Sequence, residues 1–74
     1  MKNQITPTMK TRIYTIMSKK GISTNQVCKA LNIAYPDFIS AMNGQHPIYG
    51  KWQKKISELL GVPREELFRE FREN

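Results

Sequence analysis

Residues 21–44 read GISTNQVCKALNIAYPDFISAMNG, and this stretch predicts two short helices joined by a tight turn. Ser23, with a glutamine three residues later, has the pattern of a capping box, which satisfies the first backbone N–H groups of a helix. Asn32 lies where the chain must turn, and asparagine tolerates a positive φ better than most residues. We therefore predict helices over 23–31 and 35–43, with the turn between them.

One helix is predicted before this pair and two helices after it. Before it, apolar residues recur at helical spacing, at Met9, Ile13, Ile16 and Met17. After it, the inward positions would be Trp52, Ile56, Leu59 and Leu60, followed by Leu67, Phe68 and Phe71. No segment alternates with a period of two, so the predicted class is all-α. The prediction is a single domain over 1–74, a compact bundle of five helices at about 7–20, 23–31, 35–43, 50–60 and 63–72.

Length and composition exclude several classes of protein. Seventy-four residues make one domain. No apolar run approaches the roughly 18 residues that cross a bilayer, so no membrane association is expected. The N-terminal residues lack the apolar block of a signal peptide, and the single cysteine, Cys28, excludes an internal disulfide. A cytoplasmic location is therefore expected.

The sequence offers no catalytic or metal-binding constellation. His46 is the only histidine, and no cysteine, histidine or acidic residue lies near it at metal-ligand spacing. No nucleophile is followed by a base in a recognisable pattern. We therefore expect neither an enzyme nor a cofactor.

The basic residues are concentrated in the first three quarters of the chain. Residues 1–55 carry nine lysines and arginines and a single acid, Asp37, whereas residues 56–74 carry three arginines and five glutamates. A basic face is expected of a protein that binds phosphates. A solvated lysine surface without a partner is the alternative interpretation.

The spacing of these features resembles the helix-turn-helix of the lambda-repressor-like family, the Cro/repressor or XRE type of phage and bacterial regulators. The family's glycine, cap, turn and core positions are filled here, without insertions, by Gly21, Ile22, Ser23, Val27, Cys28, Asn32, Ile33, Phe38 and Gly44. The segment ISELLGVPREELF, residues 56–68, resembles the family's fourth and fifth helices. The likeness implies a small DNA-binding transcriptional regulator, of phage or mobile-element type, whose third helix enters the major groove of double-stranded DNA.

The sequence departs from the family pattern at two places, and each departure leads to a prediction. Many members pair an arginine late in helix 1 with a glutamate near the end of helix 3, and the matching positions here are Met17 and Met42. Since apolar residues can replace both halves of a buried ion pair at little cost, we predict that the two methionines touch. Cys28 fills a slot that usually holds alanine, and we expect a buried small hydrophobe rather than a redox sensor.

The resemblance also assigns DNA-contacting residues. The positions that would reach base edges are Ala34, Tyr35, Pro36, Asp37 and Ser40. The positions that would hold phosphates are Ser23, Thr24, Asn25, Asn43, Gln45, Tyr49, Lys51 and Lys54. None of the base-reading residues is the arginine, glutamine or asparagine of the common bidentate base contacts, so sequence readout should be modest or depend on DNA shape. Asp37 either accepts from a cytosine amino group or only stabilises its helix start.

Two further points stay open at the level of sequence. The alternative function is a protein-interaction module, antirepressor-like or antitoxin-like, that binds another regulator instead of DNA. In the last helix, one of Phe68 and Phe71 should pack on Trp52 or Leu60, and the other could form a small twofold interface. A weak homodimer through this helix is therefore expected.

Overall fold

The computed structural model describes residues 4–72, so the first three and last two residues of the predicted domain lie outside it. Within this range the α-helices α1 to α5 span Pro7–Lys20, Thr24–Leu31, Tyr35–Met42, Gly50–Leu60 and Arg64–Leu67, and a 3-10 helix spans Arg69–Arg72. The described residues contain no strand beyond one isolated bridge between Gln4 and Pro47. The predicted all-α class is confirmed.

Side-chain caps set the starts of α1 and α2, and the sequence predicted the cap at Ser23. Thr6 caps α1, and its hydroxyl accepts a 3.1 Å hydrogen bond from the N–H of Met9. At α2 the capping box is complete: the Ser23 hydroxyl accepts from the Gln26 N–H at 3.1 Å, and the Gln26 side chain accepts from the Ser23 N–H at 2.6 Å. These bonds satisfy N–H groups that have no partner within the helix.

Three predicted helices need corrected boundaries. Ser23 lies outside α2 as its N-cap, and Asn43 lies outside α3 as its C-cap. The predicted helix over 63–72 begins at Arg64, after Pro63, and is interrupted at Phe68, whose φ of −118° and ψ of 33° leave the α conformation. Arg12 compensates for this break, because its Nη1 donates to the freed carbonyl oxygen of Leu67 at 2.8 Å.

One apolar core joins all five helices. Its buried side chains are Met9, Ile13, Met17, Val27, Cys28, Leu31, Phe38, Ala41, Met42, Ile56, Leu60, Leu67 and Phe68, with Ile5 and Ile48 from outside the helices. Met17 and Met42 are only 3% and 1% exposed, as a contact between them requires, and the contact itself stays a prediction. Burial raises the pKa of the Cys28 thiol, which disfavours the reactive thiolate and supports a packing role.

The prediction was wrong at Leu59, which is 36% exposed. Gln53 takes the inward position one turn before Ile56, so the buried stripe of α4 runs through Gln53, Ile56 and Leu60 and leaves Leu59 at its edge. Trp52 is half-buried against the core. In the last helical segment Phe68 is buried and stacks on the half-buried Phe71, with ring centroids 5.6 Å apart.

An ion pair that the sequence did not predict fastens the 3-10 helix to α1. Arg12 donates through Nη2 to one carboxylate oxygen of Glu70 at 2.6 Å and through Nη1 to the other at 2.9 Å. Both side chains are largely buried, with 18% and 25% of their surface exposed. The hydrogen bond to Arg12 is the main reason that the pKa of Glu70 falls from 4.5 to about 2.

This ion pair predicts a defined dependence of stability on pH. Glu70→Gln should lower the free energy of unfolding by about 1–2 kcal/mol at pH 7, since a bidentate, charge-assisted pair is lost. Because the folded pKa lies below the ordinary value, the contribution is complete above pH 4.5 and fades as the pH falls towards about 2. Urea unfolding of the variant and wild type from pH 2 to 7 measures the difference. Glu58→Gln, which changes an exposed side chain, is the control. A loss of stability in Glu70→Gln that does not depend on pH would contradict the prediction.

Candidate nucleic-acid interface

The turn between α2 and α3 has the geometry that its residues predicted. Asn32 adopts the left-handed conformation with φ 59° and ψ 46°, and it ends α2. The N–H of Ile33 then donates to the carbonyl of Cys28 at 3.1 Å. Ile33 is partly buried against the core. Ala34 is extended and starts α3, and its carbonyl accepts from the N–H of Phe38 at 3.1 Å.

The outward face of α3 carries the predicted base-reading residues. Its inward positions, Phe38, Ala41 and Met42, are buried and fix the rotation of the helix. Four predicted positions at its start are exposed, namely Ala34, Tyr35, Pro36 and Asp37, whereas Ser40 is half-buried. Pro36 and Ser40 are four residues apart and therefore share one side of the helix. The face is small and has few hydrogen-bonding groups.

The start of α2 offers fewer free amides than the sequence suggested. The N–H of Ser23 already donates to the Gln26 side chain, and the Ser23 hydroxyl accepts in return. The N–H groups of Thr24 and Asn25 occupy the first two helical positions and have no hydrogen-bond acceptor among residues 4–72. A phosphate at this helix start would therefore be held by Thr24 and Asn25 rather than by Ser23.

After α3 in the chain, the other predicted phosphate-binding residues lie in the loop and at the start of α4. Asn43, Gln45, Tyr49, Lys51 and Lys54 are all exposed. Asn43 is partly engaged, because its Oδ1 accepts a 2.6 Å hydrogen bond from the ammonium of Lys10. Lys10 belongs to α1 and was not predicted at this site. No local pattern relates it to Asn43, which lies 33 residues away.

Buried hydrogen bonds fix the loop between α3 and α4. The Gln53 side chain is 6% exposed and donates to the carbonyl of Ile48 at 2.8 Å. Ile48 itself is fully buried. At the other end of the loop, the Gln4 side chain donates to the carbonyl of Gly44 at 3.0 Å. The exposed side chains of Gln45 and Tyr49 are thus carried by a backbone that the core and the N-terminal segment hold in place.

A shallow groove that the sequence did not reveal follows α1. It has a volume of about 800 Å³ and is lined by Pro7, Lys10, Thr11, Tyr14, Thr15, Ser18 and Lys19. Burial, and then the proximity of Tyr35 and Cys28, raises the pKa of Tyr14. The hydroxyl groups and lysines of this groove are further candidates for phosphate contact.

The lysines near α3 form no ion pair with a carboxylate of residues 4–71. Among the side chains in that range, the one ion pair joins Arg12 to Glu70. Lys10, Lys51 and Lys54 therefore keep an uncompensated positive field. In the same range no group of three histidine, cysteine or acidic residues is placed to hold a metal ion.

No helix in the described part of the chain is both long and apolar enough to cross a membrane. Comparison with protein-family models, with curated proteins and with solved structures finds no match to this chain.

Proposed function

We propose that this protein is a small DNA-binding regulator of the lambda-repressor-like type, which inserts the outward face of α3 into the major groove. One observation carries the proposal: along the chain, two sets of exposed or unpaired phosphate-binding groups flank the helix that carries this exposed face. The first set is the start of α2, and the second is the loop and the first turn of α4 with Lys51 and Lys54. The major groove admits one α-helix, and flanking groups of this kind bind the two phosphate backbones.

The proposed contacts favour docking over strong sequence readout. Lys10, Lys51 and Lys54 neutralise phosphates and release counterions, which supplies affinity for any duplex. Within α3, Tyr35 and Ser40 supply hydroxyl groups, and Pro36 offers apolar contact to a thymine methyl. Differences between DNA sequences would then arise partly from groove width and bending.

Fluorescence anisotropy with a labelled duplex pool of random sequence tests the proposal. Wild-type protein should bind. A plot of the logarithm of the association constant against the logarithm of the salt concentration should have a slope of roughly −0.9 for each phosphate contacted. Lys51→Ala combined with Lys54→Ala should weaken binding about tenfold or more at low salt and make the slope shallower by up to about 2. Arg64→Ala combined with Arg69→Ala removes the same charge from the C-terminal region and is the matched control. Absence of binding at low salt, or an equal loss in the control, would refute the proposal.

The proposal includes a weak homodimer through the C-terminal segment. Phe68 is buried and Phe71 is half-covered by stacking on it, so little apolar surface remains there. Stable interfaces bury roughly 1,200–2,000 Å² in total. We therefore expect the dimer to form mainly on paired DNA half-sites. Sedimentation velocity with and without a palindromic duplex selected from the pool distinguishes this from a stable free dimer.

A further inference from the structure

A small cleft opens beside the outward face of α3, between that helix, the following loop and the first turn of α4. Its volume is about 220 Å³. We call it the aromatic cleft, and its lining residues are Asp37, Ala41, His46, Pro47, Tyr49 and Trp52. Pockets for free small ligands usually measure roughly 300–1,000 Å³. The aromatic cleft is therefore of a size for one side chain rather than for a metabolite.

Two aromatic rings form a corner of this cleft. The ring centroids of Tyr49 and Trp52 are 5.0 Å apart, and their planes meet at 61°. Trp52 is held by its packing against the core, whereas Tyr49 is 54% exposed. The face of an aromatic ring is electron-rich and attracts a cation within about 6 Å of the centroid. A corner of two such rings favours a positively charged occupant over a neutral one of the same shape.

The same cleft contains an unpaired carboxylate. Asp37 is the only acidic residue among residues 1–55. It is exposed, and its side chain forms no ion pair or hydrogen bond within residues 4–72. The lysines of α4 leave it free, although the surface around it is basic. The carboxylate can therefore accept from an incoming donor without breaking an existing contact.

We propose that the aromatic cleft binds an arginine side chain of a partner protein. A guanidinium stacks on aromatic faces and donates two parallel hydrogen bonds to a carboxylate, so it matches both parts of the lining. DNA carries no cationic group and cannot use the site in this way. Because Asp37 and Tyr49 also belong to the proposed DNA interface, a bound partner would compete with DNA. The inference itself does not depend on DNA binding.

The single tryptophan of the chain, Trp52, makes the test direct. The probe is a capped Gly-Arg-Gly peptide, and its matched control contains citrulline, in which an uncharged urea replaces the guanidinium. The arginine peptide should change Trp52 emission saturably and bind about tenfold more tightly than the citrulline peptide. A lysine peptide should bind more weakly than the arginine peptide, because it lacks the planar fork.

Variants of Asp37 separate the contribution of the carboxylate to peptide binding from that of the two aromatic rings. Asp37→Asn should weaken the arginine peptide several-fold and leave a smaller preference over the citrulline peptide, which the rings supply, whereas Asp37→Glu should retain most of the full preference. Glu58→Gln, which removes an exposed acid elsewhere on α4, should have no effect. Circular dichroism verifies that each variant is folded. Equal responses to the two peptides, or no saturable change, would overturn the proposal. No DNA is present, so failure here is distinct from failure of DNA binding.

Discussion

Gly44→Ala should destabilise the protein by about 2–4 kcal/mol, for two reasons that add. Gly44 has a φ of +78°, in the left-handed region, where a residue with a Cβ loses roughly 1–2 kcal/mol. In addition, the new Cβ would lie 2.8 Å from the carbonyl oxygen of Ile5. This oxygen belongs to the backbone of a buried residue and cannot rotate away, so the N-terminal segment would have to shift.

Gly21→Ala is the matched control for this change. Gly21 has a similar φ of +68°, but a Cβ there would meet no atom within 4 Å. The Gly21→Ala variant should therefore lose only the conformational cost of about 1–2 kcal/mol in its free energy of unfolding. Urea unfolding of both variants measures the difference, which isolates the contact with Ile5. Equal losses at the two glycines would show that the N-terminal segment does not restrain the loop.

The contact between Ile5 and Gly44 also matters for the proposed site. The N-terminal segment holds the loop after α3 through the hydrogen bond from Gln4 to Gly44 and through the buried Ile5. The same loop carries Gln45 and leads to Tyr49. A shift of this segment should therefore weaken the proposed binding of DNA and the proposed binding of arginine in the aromatic cleft, although the residues that would form those contacts are unchanged.

The features that the sequence predicted correctly are those that depend on neighbours in the chain. The capping box joins Ser23 to Gln26, only three residues later in the chain. The turn at Asn32 requires only a residue that tolerates the left-handed conformation. The inward stripe of α1 follows from the helical period. The exposure of Tyr35 and Pro36 at the candidate interface follows from the same period applied to α3.

The features that the sequence did not predict depend on residues far apart in the chain. Arg12 and Glu70 are separated by 58 positions, and their ion pair accompanies the break after α5 that made the last helix shorter than predicted. Gln53 is polar, and only its bond to Ile48 explains its inward position and the exposure of Leu59. No local propensity contains this information, because these partners meet only after the helices pack.

The aromatic cleft illustrates the same limit for function. In the sequence, Asp37 was an isolated acid in a basic segment, interpreted either as a contact to a cytosine amino group or as a residue that stabilises its helix start. Its significance changes once it lies in one cleft with Tyr49 and Trp52, which follow it by 12 and 15 residues across a loop. Spacing alone does not bring an α3 carboxylate to an aromatic corner formed at the start of α4. The fixed loop between the two helices does so.

Met17→Arg and Met42→Glu should each destabilise the protein by about 3–5 kcal/mol when introduced singly, because each leaves an unpaired charge in the core. Both positions are almost fully buried, on α1 and α3 respectively. Met17→Leu and Met42→Leu conserve volume and charge, and each should cost less than about 1.5 kcal/mol. Chemical denaturation at neutral pH measures all four variants.

The double variant carrying both charges should recover about 1–3 kcal/mol relative to the sum of the two single losses. This coupling arises only if the two positions are close enough for the arginine and the glutamate to pair, which is the arrangement that the resemblance to lambda-repressor-like domains implies. The double variant should remain less stable than wild type, because the ion pair is still removed from water. Strictly additive losses would contradict the predicted contact. They would also remove the internal support for matching α1 and α3 of this chain to the helices of that family.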